Sequence, residues 1–518
     1  MELLHMTILC AIFMPLLLLA FTRILLPKSA ADDGFPPGPP AGAWPLLGHL
    51  PFLIASGLPP HQALAPLARR LGPIIGLRLG STRAVVICNS LLAKEVLHSH
   101  DKLLANRPRF LMSDNLLYGY DATLTFSRYT PRWAMLRKLC NLELFTAKRL
   151  QALQPLRYKE VHNLLQSLLQ ESHHGTQPVN LAQSFLLMNS NSLGRALHSE
   201  PIPEVGGHVF YRMLKEQERF ITPTIGDLLP WLKLLDLPRK QRMRKHHGHV
   251  DKIIETMVSQ RRQLMKSSKA DDLPNDLLQV LLSREAIDQE QSDDQDELLT
   301  TKEIKGAVFD MLSAGTHTIA LTLEWTMAEL LRNPNCLKKL QNEIDDMMAK
   351  EGNHFITDED IPKLPYLEKV VKEVFRLHPS VPLLIPRISN EAVKIDKFTL
   401  PAGTHVFVNV WAIGRDPDVW ENAEKFLPER FDGKDMDVKG QHYDLLPFGA
   451  GRRVCLGLRL ALSVFHVTLA NLIRTFEWEL PYGQTPMDVD MSEQRGFTTV
   501  RLTPMVAIPK PRFKLDMQ

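Results

Sequence analysis

The stretch F-G-A-G-R-R-V-C-L-G at residues 448–457 decides how the rest of this sequence is interpreted. Its cysteine follows a pair of arginines in a glycine-rich loop, and an apolar run predicted to be helical extends from Leu458 to Ile473. Backbone N–H groups at a helix start, together with nearby arginines, favour a thiolate over a thiol. Glycines on both sides let a flat, bulky group approach the backbone. The stretch predicts that Cys455 is a metal ligand or a nucleophile, with a buried structural cysteine as the simpler alternative.

The fixed positions of this loop form the pattern Phe-x-x-Gly-x-Arg-x-Cys-x-Gly. The pattern resembles the haem-binding loop of the cytochrome P450 superfamily, the haem-thiolate monooxygenases. The resemblance implies a mainly α-helical fold with small β-sheets, in which haem b lies between a long central helix and the cysteine loop with its following helix. It implies that Cys455 is the axial ligand of the haem iron, a thiolate that favours O–O cleavage. It also implies that Arg453 binds a haem propionate and that Phe448 and Gly457 belong to the haem site.

A second motif, A-G-T-H-T at residues 314–318, lies inside a long apolar segment. Thr300 and Glu303 form a predicted capping box at the start of a helix that continues to Asn333, about 48 Å at ~1.5 Å per residue. Glycine and threonine are unfavourable inside a helix, and a threonine hydroxyl can bond the carbonyl four residues back. The motif therefore predicts a polar notch in an apolar helix.

The notch resembles the family signature that organises water for protonating bound dioxygen, which implies catalytic roles for Gly315 and Thr318. The chain departs from that signature, because His317 stands where the family has an acid and Ile319 where it has a hydroxyl residue. Since histidine also transfers protons near neutral pH, we predict a catalytic role for His317 as well. Contact with the substrate, or pairing with another side chain, are alternatives that the sequence leaves open.

Further arginines are expected near the haem. Trp133 and Arg137 lie four residues apart on one face of a predicted helix, where a cation–π or surface pair is the simpler interpretation. The resemblance implies that both bind haem propionates, since a guanidinium group suits a carboxylate bidentately. The segment from Pro382 to Arg387 is predicted to be extended because of its prolines. There the resemblance implies that Arg387 faces a propionate.

Glu373 and Arg376 lie three residues apart on a predicted helix that stops at His378 and the following proline. Alone, this spacing usually indicates a surface pair. Because Arg430 and the cysteine loop follow in order, the set resembles the Glu-Arg-Arg triad of the family, which implies that these three residues lock the cysteine loop to the core. Leaving one member of a buried set without its partner costs roughly 3–5 kcal/mol.

The N-terminus carries a candidate membrane segment. Residues 3–21 are almost wholly apolar, close to the ~20 residues that cross a bilayer as a helix. Arg23 and Lys28 follow this run, whereas Glu2 is the only charge before it, so the downstream side is predicted to be cytoplasmic. A signal peptide cleaved at the small residues 29–31 is the alternative.

Three parts of the chain follow from these features: a membrane anchor at 1–28, a proline-rich hinge at 29–48 and a single haem-thiolate catalytic domain at 49–518. The hinge is predicted from its proline cluster, which is locally stiff. The five cysteines show no paired spacing, which favours a reducing compartment over a disulfide framework. We therefore expect a single-pass protein of the endoplasmic reticulum membrane with its catalytic domain on the cytoplasmic side.

The charge composition bears on which kinds of molecule the protein could bind. The 61 basic and 58 acidic residues give a formal net charge of +3, so no strong field indicates nucleic acid as a partner. The chain has no glycine-rich nucleotide-binding motif, and the resemblance implies that electrons come from NADPH through a membrane-bound cytochrome reductase.

The segments Leu323-Glu324-Trp325 and Lys439-Gly440 look most like plant microsomal members, and the chain looks similar to flavonoid and phenylpropanoid hydroxylases. We predict insertion of one oxygen atom from O2 into a lipophilic small molecule, flavonoid-like or otherwise phenolic, with terpenoids and alkaloids also possible. A haem-thiolate isomerase or dehydratase that needs no reductase is one alternative, for which His317 is the supporting feature. A non-catalytic haem-binding protein is another.

Three predictions concern local structure. Two β-like runs at residues 74–87 flank a Gly-Ser pair and predict a hairpin. The apolar segment 225–232 is predicted to be a loop between amphipathic helices, either part of the pocket roof at the bilayer surface or ordinary core. His246, His247 and His249 are predicted to lie on a solvated basic helix face rather than to bind a metal.

Overall fold

A computed structural model describes residues 34–39, 43–202, 208–269, 272–285, 298–352 and 354–512 of the protein. The predicted anchor at 1–28 lies outside these described residues, so the division into anchor, hinge and catalytic domain stays a prediction. Within the described ranges, no helix is both long enough and apolar enough to cross a membrane.

The described chain is mainly α-helical with small β-sheets, as expected. Its α-helices, in chain order, are α1 Leu50–Ala55, α2 Pro60–Leu71, α3 Ser90–Lys94, α4 Leu111–Asn115, α5 Pro131–Leu144, α6 Ala147–Ala152, α7 Gln154–Glu171, α8 Leu181–His198, α9 His208–Phe220, α10 Ile225–Leu228, α11 Leu237–Ser267, α12 Leu277–Ser283, α13 Thr301–Arg332, α14 Pro334–Glu351, α15 Pro365–Leu377, α16 Val410–Ile413 and α17 Leu458–Thr475. Short 3-10 helices occur at Pro230–Asp236, Ile361–Lys363, Pro428–Phe431, Gly451–Arg453 and Pro486–Asp488, and a π-helical turn at Glu95–Ser99.

The strands form three small sheets. They are β1 Ile74–Leu79, β2 Thr82–Ile87, β3 Val179–Asn180, β4 Arg387–Ile388, β5 Val393–Ile395, β6 Phe398–Leu400, β7 His405–Val408, β8 Phe476–Glu479 and β9 Val506–Pro511. The largest sheet has the order β1-β2-β7-β4, and the others are β3-β9-β8 and β5-β6. The predicted hairpin is confirmed, because β1 and β2 are antiparallel with Ile74 opposite Ile87 and Leu79 opposite Thr82. Strand β7 then joins β2 in parallel, which brings the segment before β7 beside the hairpin.

Helix α13 is the central element and carries the A-G-T-H-T motif. Its predicted capping box is confirmed: the Thr300 hydroxyl accepts from the backbone N–H of Glu303, and the Thr300 N–H donates to the Glu303 carboxylate at 2.8 Å. The helix packs most extensively along α8, and it also contacts α15 and α17. Trp325 is fully buried in its second half. Because α13 is enclosed on several sides, its notch lies inside the protein rather than on its surface.

Helices α15 and α17 begin and end close to where the sequence predicts. Helix α15 ends at Leu377, and His378 is its C-terminal cap, because the proline at 379 disfavours helical backbone before it. Helix α17 starts at Leu458, directly after the cysteine loop, with Gly457 as its N-terminal cap. Both helices contact α13, so they bring the cysteine loop and the Glu373 segment to the central helix.

Two local predictions are wrong. The apolar segment 225–232 is not a loop, since Thr224 caps the short helix α10 and a 3-10 helix follows it. Nor is this region ordinary core, because Trp231 is 59% exposed and Leu234 is 70% exposed. The segment from Pro382 to Arg387 is not extended throughout. It turns at Leu384, whose φ is +50°, and the strand begins only at Arg387.

Two of the three histidines of α11 differ from the prediction of a solvated face, whereas His249 is exposed as predicted. His246 is only 2% exposed and packs against the ring of Phe220, and its Nδ1 lies 3.4 Å from the Glu216 carboxylate. His247 Nδ1 lies 2.8 Å from the carbonyl oxygen of Leu116. Helix α11 is covered on these faces by α9 and α4, which charge counting along one helix does not reveal. In the described part of the chain no cluster of side chains suits a metal ion held by histidine, cysteine and carboxylates.

Candidate active site

One cavity brings together most of the predicted site residues. It lies between α8, α13, the start of α17 and the loops before β4 and α17. Apolar side chains, among them Leu193, Ile319 and Val464, form much of its wall. Its lining includes Arg137, Gly315, Thr318, Arg387, Phe448, Arg453, Cys455 and Gly457. Outside the lining lie Trp133, His317 and the three triad residues Glu373, Arg376 and Arg430.

Cys455 occupies the end of a tightly constrained loop. Its backbone N–H donates to the carbonyl of Phe448 at 3.0 Å, which closes the loop. Gly451 has a φ of +71°, and a Cβ there would lie 2.2 Å from the carbonyl oxygen of Leu97, so no other residue type fits this position. The surface that Cys455 exposes faces the cavity. The loop therefore presents one sulfur atom to the cavity on a fixed backbone.

Contrary to the expectation that its surroundings favour a thiolate, the pKa of the Cys455 thiol is raised. Burial raises the pKa of the thiol, whereas the backbone N–H of Gly457, the guanidinium of Arg137 and the N–H of Leu458 lower it. The predicted stabilising groups are thus in place, but desolvation outweighs them. A metal cation bound at sulfur removes this cost, because coordination deprotonates a thiol.

The three arginines predicted to bind haem propionates all reach the cavity. Arg137 donates to the carbonyl of Val454 at 2.6 Å, next to Cys455. Arg387 donates to the Asp101 carboxylate at 3.0 Å, and Arg453 donates to the carbonyl of Ala105 at 2.8 Å. Burial, together with Arg387 and Arg137, lowers the pKa of Arg453 to about 9. The lowered pKa reflects first the burial of the Arg453 guanidinium and then the positive charges of the neighbouring arginines.

Arg107 is a fourth arginine in the cavity lining. The family resemblance implies that its loop, residues 106–126, covers the substrate pocket, but no role was predicted for Arg107 itself. It is 4% exposed and donates to three backbone carbonyls, at Thr125, Ile385 and Pro386. Burial and the three other arginines hold its pKa well below the usual range. Its local pattern, an arginine before a proline in an apolar loop, is too common to single it out.

This set of donors fits haem. Sulfur is a suitable ligand for iron, and four clustered guanidinium groups suit the two carboxylates of the porphyrin. Glycines at 449 and 457 leave the loop backbone open to a flat group. Cys455 would hold the iron, and Arg137, Arg387 and Arg453 would hold the propionates.

Trp133 supports this cluster from behind rather than facing the cavity. Its indole N–H donates to the carbonyl of Leu124 at 2.9 Å, and its side chain is buried. The guanidinium of Arg453 lies 4.0 Å from its ring centre and that of Arg137 lies 5.5 Å away. The ring thus stacks against two cavity arginines. Its predicted bond to a propionate stays a prediction.

The polar notch of α13 opens into the cavity. The Thr318 hydroxyl donates to the carbonyl of Ala314 at 2.8 Å, which is the back-bond that the motif predicts. A Cβ on Gly315 would lie 2.7 Å from the Leu193 side chain, so glycine allows α8 to approach closely. The side-chain amide of Asn189 on α8 donates to the carbonyls of Gly315 and Thr316. Asn189 was not anticipated, since nothing in the sequence of α8 marks one polar residue among several.

His317 faces the other side of α13. Its Nδ1 lies 3.4 Å from the carboxylate of Glu218 on α9, and the same carboxylate accepts from the Thr498 hydroxyl at 2.8 Å. Pairing with another side chain, one of the alternatives for His317, therefore describes its surroundings. Its predicted catalytic role stays a prediction, and the isomerase or dehydratase alternative gains no support from its position.

Glu373, Arg376 and Arg430 meet in the core, as the triad implies. Arg376 binds both carboxylate oxygens of Glu373, at 2.7 and 2.8 Å, and Arg430 Nε donates to the same group at 2.9 Å. Leu427 N–H is a further donor at 2.7 Å. Arg376 also donates to the carbonyl of Gly414. The set ties α15 to the segment that leads to the cysteine loop.

Asp310 is a second lining residue that sequence reasoning missed. Its carboxylate accepts from the backbone N–H groups of Leu124 and Thr125, so it ties a cavity loop to α13. Burial raises the pKa of Asp310 to about 6, against the lowering effect of these N–H groups. No sequence pattern pairs a helix residue with a distant irregular loop.

Comparison with known proteins agrees with this site. Residues 36–507 match the family model described as Cytochrome P450. A flavonoid 3'-monooxygenase from Crocosmia x crocosmiiflora is 37% identical and the alignment covers 96% of this chain and 97% of the relative. An iridoid oxidase from Catharanthus roseus is 36% identical over 96% of this chain and 95% of the relative. A zebra fish cytochrome P450 solved with progesterone superposes with a TM-score of 0.72 at 25% identity, over 88% of this chain and 100% of that one. The chain therefore belongs to the cytochrome P450 family of haem-dependent monooxygenases.

Proposed function

We propose that this protein inserts one oxygen atom from O2 into a lipophilic phenolic metabolite of flavonoid type. As a monooxygenase of this family it takes a small-molecule substrate and a reductase as redox partner. The observation that carries the proposal is that one cavity is lined by Cys455, by four arginines and by the Thr318 notch. Haem, when bound, supplies dioxygen activation and oxygen transfer at such a site.

The chain's own residues would hold the reactants and move the proton. Cys455 anchors the iron side of the site, and Arg137, Arg387 and Arg453 hold the carboxylates. The Thr318 hydroxyl donates its hydrogen to the Ala314 carbonyl, so the lone pairs of its oxygen can accept a hydrogen bond from a water molecule. A water held at Thr318 Oγ1 stands where it can pass a proton into the cavity. The apolar wall around it limits the entry of further water.

The substrate class is proposed from the relatives and from the lining. Several similar proteins carry the names flavonoid 3'-monooxygenase or flavonoid 3',5'-hydroxylase, in Crocosmia and in Arabidopsis thaliana. Others of similar identity are an iridoid oxidase and a salviol synthase. A mostly apolar wall with a few hydroxyl and amide groups suits a lipophilic molecule with several polar substituents. Phenolics therefore come first, and terpenoids are the second class to test.

The location we propose is the endoplasmic reticulum membrane, with a single N-terminal span and a cytoplasmic catalytic domain. An exposed apolar surface supports contact with a bilayer. It consists of two segments with large exposed side chains, one with Trp44, Ile54 and Leu58 and the other with Trp231, Leu234 and Leu235. The segments are linked through the β1–β2 turn, because Leu47 O accepts from Gly80 N–H and Leu228 O accepts from Ser81 N–H. Apolar surface of this kind marks membrane or protein contacts.

The membrane proposal is tested by fractionation of the full chain in a eukaryotic host. The protein should sediment with microsomes, remain there after alkaline carbonate washing, and be digested by protease added to intact microsomes. Recovery of a cleaved form in the culture medium would show that the N-terminal segment is a signal peptide.

The catalytic proposal is tested by turnover. Microsomes that contain the protein and a plant NADPH-dependent reductase are supplied with a flavone, a simple phenylpropanoid and a monoterpenoid, and products are identified by mass. A gain of one oxygen atom that requires NADPH is expected with the flavone. Cys455→Ser should abolish both the product and the thiolate-type spectrum of the reduced carbon monoxide complex, because an alkoxide does not donate as a soft thiolate does. Product without NADPH would refute the monooxygenase proposal.

A further inference from the structure

We propose that one wall of the cavity selects substrates by their hydroxyl hydrogens, because all its polar groups are left as hydrogen-bond acceptors. We call it the acceptor wall, and it consists of Asn189, Thr318, Thr322 and Ser380, all of which line the cavity. The inference deepens the proposed function and rests on the same cavity. It assigns the wall a chemical preference that the family of the protein does not specify.

The threonine hydroxyls have no hydrogen left for a ligand. A hydroxyl carries one hydrogen and two lone pairs. Thr318 donates its hydrogen to the Ala314 carbonyl at 2.8 Å, and Thr322 donates to the Thr318 carbonyl, also at 2.8 Å. Each bond runs back along α13 to the residue four positions earlier. Both oxygens therefore keep only acceptor capacity toward the cavity.

The hydrogen-bonding role of the Ser380 hydroxyl follows from that of Thr322. The two hydroxyl oxygens lie 2.9 Å apart, and this distance alone allows either hydroxyl to be the donor. Because the Thr322 hydrogen is committed to the Thr318 carbonyl, Ser380 must be the donor in this pair. Its own hydrogen is then used, and its lone pairs remain. Ser380 lies in the loop after α15, so its acceptor faces the cavity from a different element than the threonines do.

Asn189 adds a fourth acceptor from α8. Its side-chain nitrogen lies 2.6 Å from the Gly315 carbonyl oxygen and 2.7 Å from that of Thr316. Two acceptors on one side fix which end of the amide carries the hydrogens, and a primary amide has two to give. The amide oxygen of Asn189 is therefore the atom left for a ligand. The residue is 2% exposed, so its orientation is also fixed by packing.

The consequence is a preference for donors. A substrate hydroxyl beside this wall can give its hydrogen to a waiting oxygen, whereas an ether or ketone would bring a second acceptor against it. Burying an acceptor without a donor costs more than an average hydrogen bond contributes. Sites built around hydrogen bonds to a substrate hydroxyl discriminate strongly against analogues that lack it. We expect free phenols or alcohols to bind at least ~10-fold more tightly than their methyl ethers.

The test measures dissociation constants by equilibrium dialysis with the full-length holoenzyme. The probes are a polyhydroxylated flavone and its fully methylated ether, and a monoterpenoid alcohol with its methyl ether. Ser380→Ala should weaken binding of the hydroxyl form by about 5-fold and leave the ether unchanged or slightly tighter. Thr322→Val should act in the same direction, and Ser380→Thr, which keeps the hydroxyl, should restore the preference. Ser192→Ala is the matched control, because this serine lines the cavity but takes no part in the bonds of the wall.

The outcomes separate the two claims. A hydroxyl preference in either probe pair that falls in Ser380→Ala and persists in Ser192→Ala supports the acceptor wall. If only the terpenoid pair shows it, the wall stands and the flavonoid part of the proposed function fails. Equal binding of hydroxyl and ether forms, a preference unchanged in Ser380→Ala, equal losses in both serine variants, or no binding of any probe would overturn the inference.

Discussion

Two carboxylates, Glu373 and Glu218, each tie a helix to a neighbouring element, but they do so in opposite ways. Glu373 is fully buried, and the guanidinium groups of Arg376 and Arg430 and one backbone N–H share its two oxygens. Glu218 keeps 16% of its side chain exposed, and its two partners, His317 at 3.4 Å and the Thr498 hydroxyl, both approach Oε1. Its Oε2 is buried without a partner.

The difference separates the cysteine side of the cavity from the contact between α9 and α13. On the cysteine side, the buried cluster of Glu373, Arg376 and Arg430 fixes α15 to the segment before the cysteine loop. Because these bonds share one carboxylate, they are lost together if that carboxylate is removed. Away from the cysteine loop, the polar contacts between α9 and α13 include the Glu218–His317 pair and a bond from Gln217 to Ser313, beside the buried Leu214 and Phe220 of α9. Regions held by few buried contacts open more easily than a packed core. We infer that the cysteine side is the rigid side and α9 the movable one.

The largest effect is expected at the buried cluster of Glu373. Glu373→Ala leaves the buried charges of Arg376 and Arg430 without their carboxylate, at a cost of roughly 3–5 kcal/mol. Because whole domains are stable by only ~5–15 kcal/mol, little haem-loaded protein should accumulate. The yield is measured from the absorbance of haem relative to total protein.

Lys339→Ala is the matched control for this change. It removes an ion pair with Glu429 in which the lysine side chain is 59% exposed. Exposed pairs contribute less than about 1 kcal/mol, so the haem yield should stay normal. A normal yield from Glu373→Ala as well would show that the cluster does not hold the cysteine side.

A smaller effect is expected at Asp310, which ties a cavity loop to α13. Burial raises the pKa of Asp310 from 3.8 to about 6, so the folded protein holds this carboxyl protonated more readily than the unfolded chain does. Its contribution to stability is therefore full below pH ~4 and is lost as the pH rises through about 6. Asp310→Asn keeps a neutral acceptor at every pH. The unfolding free energy of the wild type minus that of the variant should fall by up to ~3 kcal/mol between pH 4 and 7.

Urea unfolding at a series of pH values measures this difference, in which the titration of all other groups cancels. A difference that stays flat across the range would show that Asp310 ionises as easily in the folded protein as in the unfolded chain. The tie to the loop would then be as strong above pH 6 as below it.

The local features that the sequence predicted are each determined by a few neighbouring residues. The capping box needs only Thr300 and Glu303, the β1–β2 hairpin needs a Gly-Ser pair between two β-like runs, and the end of α15 needs a proline at 379. The site residues on the cysteine loop were found because the loop resembles the haem-binding pattern of the family. The meeting of Glu373 with Arg430 was expected from the order of motifs rather than from local physics.

The features that the sequence missed depend on contacts between distant segments. Asn189 and Arg107 look like many other polar residues until α8 and a loop bring them to the cavity. The Leu124 carbonyl, which accepts from the Trp133 indole, comes from an irregular loop that no sequence motif links to α5. His317 was judged by its neighbours in α13, and its actual partner comes from α9. Periodicity within one helix predicts on which face a residue lies, but not which element of the fold covers that face.

The smallest effect, and the sharpest test of the comparison, is expected at Glu218. Glu218→Gln removes the charge opposite His317 but keeps an oxygen that can accept from Thr498. The unfolding free energy should fall by less than about 1 kcal/mol, because a partly exposed pair contributes little. Backbone hydrogen exchange should instead rise several-fold in α9, while α15 stays protected, since loss of a single tie permits local opening without global unfolding.

Glu216→Gln is the matched control, because Glu216 lies on the same helix and also has a histidine at 3.4 Å, His246 of α11, but is 54% exposed. It should change exchange in α9 less than Glu218→Gln does, and it should leave the loop around Thr498 unchanged. If Glu218→Gln instead destabilises the whole protein as much as Glu373→Ala does, α9 is held as rigidly as the cysteine side of the cavity, and the difference in rigidity inferred between them is wrong.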